Sequence, residues 1–357
     1  MKNVLILCGG RSAEHEISLI SAKGVLDALD RSRFKPLLVG IAKDGTWYWQ
    51  DEKSYFTGEF RADRIALNTQ RPKVTLAPFT EGGKGRLVVD GEKPHSFDVV
   101  FPILHGQYGE DGTLQGLLDL MGIAYVGARC GPSWICMDKF LTKTVCEKNG
   151  IPVADYVAVR QGEDWKAKLK DIEKLGYPIF AKPSCQGSSV GITKVENQAG
   201  LKKAIETAWS FDRVCLLERA ILGRELECAV LGLRDNPEAS LPGEILVSKK
   251  AGWYSYEAKY LGGDLATTQT PANLPPALTE QVRELAKRVF QVLDCDGMAR
   301  VDFLLEEKTG RLYLNEPNTL PGFTPISMYP KMWEASGLSY SALITRLIDL
   351  AFLREAK

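Results

Sequence analysis

The sequence predicts a multi-domain chain of mixed α/β and α+β class, an N-terminal α/β unit followed by two α+β units. Three features carry this expectation. Strand and helix patterns alternate over the first part of the chain, the pattern restarts near Cys130, and a carboxylate-bearing hairpin precedes a closing amphipathic helix. With 357 residues the chain is long enough for two or three separate cores.

Lys2–Leu7 is an apolar run of strand length, Gly9-Gly10 turns the chain, and a helix is predicted from about Ser12 to Leu29. Phe34–Ile41 is the second strand. Residues 43–96 are rich in Gly, Pro, Trp and charge without sustained periodicity, so hairpins and loops are expected there. Asp98–Leu104 is a further buried strand. A helix from Asp111 places Leu114, Leu117, Leu118 and Met121 at helical spacing until Gly122 stops it. Repeated strand–helix units joined in this way imply a mostly parallel sheet.

In the second unit a helix from Asp138 ends at Asn149-Gly150, with Pro152 beyond. Ile179–Lys182, a glycine-bearing loop and Val190–Val195 form strand, loop, strand; Val214–Glu218 and Leu226–Gly232 are further strands. The third unit has a strand at Glu244–Val247 and a loop of low periodicity from Ser248 to Pro276. A helix follows from Glu280 to Leu293 with Thr279 as its expected N-cap, and Ser339–Leu353 closes the chain.

Apolar content of 45% and charged content of 25% are ordinary for a globular protein. Lys plus Arg (45) equals Asp plus Glu (45), so neither nucleic acid nor an anionic membrane is an expected partner. The first apolar run is too short for a signal-peptide core, and no stretch has the length of a membrane span. A cytoplasmic chain with reduced thiols is expected. The eight cysteines are scattered without a C-x-x-C pair and there are three histidines, which argues against zinc and for small core residues.

Met298–Leu305 and Arg311–Asn318 form a hairpin around Glu306–Gly310. Period two puts Arg300 and Asp302 on one face, and Glu316 and Asn318 on one face; a hairpin regular about Thr309 sets Asp302 opposite Glu316 and Arg300 opposite Asn318. Opposed carboxylates repel unless a cation lies between them. Two carboxylates and an amide oxygen suit magnesium; the alternative is a solvated face on which Arg300 simply pairs with Asp302. The charge-poor loop Thr319-Leu320-Pro321-Gly322-Phe323 favours the metal.

Gly187-Ser188-Ser189-Val190-Gly191 spells G-x-S-x-G, but strand-like residues follow it where a nucleophile elbow needs a helix. Walker A spacing is absent, as is the G-x-G-x-x-G of a dinucleotide fold. A Gly/Ser loop after Lys182 can still cover phosphates through its N–H groups and hydroxyls, although a plain hairpin turn has the same composition. Lys139 and Lys182 are candidates to meet phosphate charge.

Taken in order, Gly9–Ser18, His105-Gly106 with Gly109–Gly112, Met137-Asp138-Lys139, Lys182-Pro183 with Gly187–Gly191, Glu257-Ala258-Lys259-Tyr260, Arg300-Val301-Asp302 and Asn315–Gly322 resemble the ATP-grasp superfamily. Within it they resemble the D-alanine–D-alanine ligases, over nearly the whole chain. The resemblance implies an N-terminal α/β (pre-ATP-grasp) domain, 1–129, and a two-subdomain ATP-grasp fold, 130–232 and 233–357. It implies ATP and two magnesium ions, with manganese as a substitute, held by Asp302, Glu316 and Asn318. Lys139, Lys182 and Lys259 would contact phosphates. Glu218, Arg219, Ala220 and Ile221 would line adenine, Glu225 would take the ribose, and Trp253 would pack against the nucleotide. For the two D-alanine substrates it implies Glu14 at the first ammonium, Ser327 at the second carboxylate, and His105 and Met328 nearby. Arg300 and the Gly322 N–H would stabilise the oxyanion. A tyrosine at 260, linked to Ser188 and Glu14, goes with D-alanine rather than D-lactate as acceptor. A homodimer is implied. The sequence departs from the family at Cys130–Trp134, where small residues are usual, at Met328, where leucine is common, and at Asn315, where an apolar residue often stands.

Overall fold

The computed structural model describes residues 1–77, 82–247 and 266–355. At the N-terminus, Lys2–Gly9 pairs in parallel with Phe34–Ile41 on one side and Val99–Ile103 on the other, and Trp47–Gln50 adds an antiparallel edge. Both faces of the central strand are covered, which is why its apolar run is unbroken rather than alternating. The helix His15–Ala28 begins later than Ser12, because the Ser12 hydroxyl is drawn to the carbonyl of His105 (2.6 Å) and accepts the Glu14 N–H (3.2 Å). Small hairpins fill the region between the second strand and Val99, as the composition predicted.

A second, antiparallel sheet has the order Tyr156–Arg160, Val214–Arg219, Ile179–Pro183, Thr193–Val195. The strand expected over Val190–Val195 is shortened to Thr193–Val195. Ser188, Ser189 and Gly191 have φ of 53°, 59° and 74°, so the loop turns tightly before the chain extends. Leu201–Trp209 covers this sheet with Leu201, Ala204, Ile205 and Ala208 buried.

The third sheet runs Ala266–Gln269, Gly243–Val247, Gly223–Gly232, Gly297–Glu306, Leu312–Asn318, all antiparallel. Of the predicted Ser248–Pro276 loop, residues 248–265 lie outside the described residues, and Ala266–Gln269 is a strand rather than loop. Its flanking helix spans Pro276–Val292, earlier than predicted, with Pro275 at the cap; Thr279 lies inside the first turn and donates its N–H to Pro275 O (3.0 Å). Proline at the first helical position is pre-set for helix and lacks only an N–H that would be unpaired there anyway.

One core joins the two ends of the chain: Val4, Ile6 and Phe101 from the first sheet pack in the same cluster as Phe323, Leu343 and Ile348. The buried Arg354 side chain donates to the carbonyls of Gly127 (2.5 Å) and Tyr125 (2.9 Å), tying the last helix, Tyr340–Glu355, to the first unit. All eight cysteines are free, six of them buried. Among the described residues no single helix is long and apolar enough to cross a membrane.

Candidate active site

The central strands of the third sheet set three acids abreast. Glu227 on Gly223–Gly232 lies opposite Asp302 on Gly297–Glu306, which in turn lies opposite Glu316 on Leu312–Asn318. Arg300 stands opposite Asn318, as the hairpin spacing predicted. The predicted register arises differently from the predicted hairpin, however. Near the turn Leu305 faces Leu312, and the register shifts between Asp302 and Phe303, leaving Asn315 as the extra residue. The bulge turns the Asn315 side chain toward Lys182 Nζ (3.5 Å).

Cations meet this acidic row from two directions. Arg300 grips Asp302 side-on, through Nε (2.8 Å) and Nη2 (2.6 Å), and its Nε lies 3.3 Å from Glu227 Oε1. Burial alone would lower the pKa of this guanidinium, but the Asp302 and Glu227 carboxylates hold it well above its ordinary value. Lys139 reaches Glu316 at 3.2 Å and donates to Gln186 O at 2.7 Å. It opens the helix Lys139–Lys148, whose cap Asp138 accepts the N–H groups of Phe140 (2.9 Å) and Leu141 (3.1 Å) and the hydroxyl of Ser184 (2.5 Å). A good N-cap thereby anchors both Lys139 and the chain entering the Gly/Ser loop.

Behind this lies a second charged group. Glu218, 2% exposed, takes Lys182 (3.0 Å) and Lys143 (2.8 Å), the latter 1% exposed. Burial raises a carboxyl pKa, yet here the two ammonium groups outweigh it and hold Glu218 below its ordinary value; burial conversely lowers Lys143. Arg219 next to it pairs with Glu306 (2.8 Å) and Asp155 (3.4 Å), and the Ala220 N–H donates to Pro178 O (3.2 Å). Ile221 and Glu225 are half-buried.

A cavity of about 730 Å³ opens over the acidic row, with Glu14, His105, Lys139, Ser188, Arg300, Glu316, Asn318, Gly322, Ser327 and Met328 on its walls. Ser188 donates its hydroxyl to Glu14 Oε1 at 2.6 Å, joining the Gly/Ser loop to the first helix. His105 is buried, with Ser21 Oγ at 3.0 Å and Glu110 at 3.5 Å; burial lowers its pKa, but the carboxylates of Glu110 and Glu14 reverse this and raise it. Ser327 Oγ accepts the Thr324 N–H (3.0 Å), and a Cβ at position 322 would stand 2.8 Å from it, so a larger residue there would displace the Ser327 hydroxyl. Met328 Sδ accepts from the Thr270 hydroxyl (3.4 Å).

Ten of the predicted residues therefore share one cavity. Asp302 lies beneath its wall, while Lys182, Glu218, Arg219, Ala220, Ile221 and Glu225 belong to the adjoining part between the second and third sheets. Trp253, Lys259 and Tyr260 lie outside the described residues. Sequence reasoning missed Glu227, Lys143 and Glu110. Two of these had a signal: Glu227 shares a strand face with Glu225, and Lys143 follows Lys139 by one helical turn.

The donor set fits a hard divalent cation. Asp302, Glu316 and the Asn318 amide offer only oxygens, with Asn318 Oδ1 oriented by the Leu320 N–H (2.8 Å). The row of Glu227, Asp302 and Glu316 carries three negative charges against the two positive charges of Arg300 and Lys139. That excess favours a further cation.

Comparison with known proteins agrees with this geometry. The family model "D-ala D-ala ligase N-terminus" matches residues 3–128, and "D-ala D-ala ligase C-terminus" matches 145–349. A D-alanine–D-alanine ligase of Thermoanaerobacter sp. (strain X514) is 47% identical, covering 98% of this chain and 96% of the relative; D-alanine–D-alanine ligase A of Escherichia coli K12 is 43% identical with the same coverage. The solved D-alanine-D-alanine ligase from Coxiella burnetii superimposes with a TM-score of 0.85 at 36% identity, covering 99% of this chain and 95% of its own. The VanG D-Ala:D-Ser ligase of Enterococcus faecalis gives 0.82 at 34% identity, over 98% and 99%. With both halves matched and the acidic row, Lys139 and the Gly/Ser loop set around one cavity, this chain belongs to the D-alanine–D-alanine ligase family of ATP-grasp enzymes.

Proposed function

We propose that the chain joins two D-alanine molecules into D-alanyl-D-alanine, for peptidoglycan precursor synthesis, with conversion of ATP to ADP and phosphate. The observation that carries this reading is the acidic row with Arg300 on it, facing a cavity that also receives Glu14, Ser188 and Ser327. Phosphoryl transfer to a carboxylate brings two anions together, so charge neutralisation and alignment matter more than a protein nucleophile.

In this mechanism Glu14, steadied by Ser188 and Tyr260, takes the ammonium of the first D-alanine, with His105 beside it. The substrate carboxylate attacks the γ-phosphorus, the bond to the β-phosphate oxygen breaks, and ADP leaves a D-alanyl phosphate. Lys139, Lys182 and Lys259 hold the phosphates. Glu218, Arg219, Ala220 and Ile221 line the adenine, Glu225 takes the ribose hydroxyls, and Trp253 packs against the nucleotide. Asp302, Glu316 and Asn318 would hold two magnesium ions, replaceable by manganese, which would supply Lewis-acid neutralisation of phosphate charge. Ser327 and Met328 seat the second D-alanine, whose neutral amine attacks the acyl carbonyl. The tetrahedral oxyanion is met by Arg300 and the Gly322 N–H, and collapse releases phosphate. The division into 1–129, 130–232 and 233–357, with Gly223–Gly232 crossing the second boundary to supply a strand of the third sheet, a homodimeric state and a cytoplasmic location belong to the same proposal.

Likeness to a D-Ala:D-Ser ligase supports a second reading, in which D-serine is the acceptor. Mass identification of the product from equal D-alanine, D-serine and D-lactate with ATP and magnesium separates them. D-alanyl-D-alanine is expected; a mixed product dominating at neutral pH would overturn the assignment of the acceptor.

A further inference from the structure

We infer that Glu227 is a positioning residue for Arg300, holding the guanidinium over the cavity while Asp302 serves the metal. This rests on the proposed roles of Asp302 and Arg300. The two roles conflict on a shared carboxylate: Arg300 engages both Asp302 oxygens, and a cation at Asp302 draws on those same oxygens. If Asp302 were the only anchor, each gain in metal binding would loosen the arginine. Glu227 removes the conflict by geometry. It occupies the neighbouring strand directly opposite Asp302, is 3% exposed, and places Oε1 3.3 Å from Arg300 Nε, on the side of Asp302 away from Glu316. A carboxylate this deeply buried is costly unless a cation faces it, and Arg300 is such a cation.

The three acids thus divide by position. Glu316 and Asp302 face each other across the hairpin and would share the metal, while Glu227 keeps the arginine in line with the reacting carbonyl. Arginine suits the task because its planar fork meets one carboxylate through two nitrogens and still presents a charge elsewhere.

The test measures two quantities on the full chain: kcat at saturating ATP and D-alanine, and the magnesium midpoint for thermal stabilisation in the presence of ADP, which needs no turnover. Glu227→Gln should lower kcat and raise the magnesium midpoint, each about tenfold as is usual for groups that orient a metal ligand. Arg300 then leans on Asp302 alone and competes with the metal. Saturating magnesium should not restore kcat, and the KM for D-alanine should stay near that of the wild type. Glu227→Asp, which keeps the charge, should lie between the two and covers the case in which the glutamine variant folds poorly. In an Arg300→Met background, Glu227→Gln should leave the magnesium midpoint where it is, because its effect passes through the arginine. A midpoint that still shifts in that background would make Glu227 a metal ligand instead, and an unchanged kcat and midpoint in the single variant would leave it a structural residue. Either result overturns the inference. Failure of the underlying reading is separately visible, as Asp302→Asn leaving the magnesium midpoint unchanged.

Discussion

Arg300 is held by acids on two strands, and its usefulness depends on shape as much as on charge. Its Nε and Nη2 both reach Asp302, a fork that a lysine cannot reproduce. Arg300→Lys therefore keeps the charge but loses the alignment, and on the oxyanion role proposed for Arg300 kcat should fall about 10²–10³-fold, as steady-state ADP release would measure. Part of this was legible in the sequence. Period two put Arg300 and Asp302 on one face and predicted Glu316 and Asn318 across from them. The simple Arg300–Asp302 ion pair, offered by the sequence as the alternative to a metal, is present. Glu227 was not legible as the third acid, because its neighbour across the sheet is fixed by strand order, which no local pattern encodes.

At the scale of elements, the helix Lys139–Lys148 links the acidic row to the second sheet: Lys139 and Lys143, one turn apart, reach Glu316 and Glu218 respectively. Lys143→Met removes one partner of a buried pair and should cost about 3 kcal/mol of stability, read by urea unfolding. The pH dependence has a definite sign. Glu218 is held below its ordinary value of 4.5 by the two lysines, so its contribution is present above that value and lost as pH falls through the lower folded value. Unfolding followed downward from pH 4.5 should therefore show the wild type losing its advantage over Lys143→Met. The element boundaries that the sequence missed have local causes. The Ser12–Glu14 turn delays the first helix, Pro276 advances another, and positive φ at Ser188 and Ser189 shortens a strand. Leu201–Trp209 was legible, since Leu201, Ala204, Ile205 and Ala208 recur at helical spacing and are all buried, whereas the five-residue strand Tyr156–Arg160 is too short for its alternation to stand out.

Across the whole molecule, three sheets meet around the cavity, and the core that unites Val4 and Phe101 with Phe323 and Leu343 fixes the first sheet against the loop that carries Gly322. Glu14 and Ser188 come from distant parts of the chain, and their 2.6 Å contact joins two segments of the cavity wall. Such long-range meetings were accessible from the sequence only through family resemblance. Composition and periodicity predicted strands, helices and one metal-hungry hairpin, but not which elements face one another. In the proposed mechanism phosphate passes to a substrate carboxylate before the peptide bond forms. D-alanine labelled with heavy oxygen in its carboxylate tests this directly, by mass analysis of the phosphate released during turnover with ATP and magnesium. Phosphate carrying one labelled oxygen per D-alanyl-D-alanine formed is expected; unlabelled phosphate would rule out transfer to the substrate carboxylate.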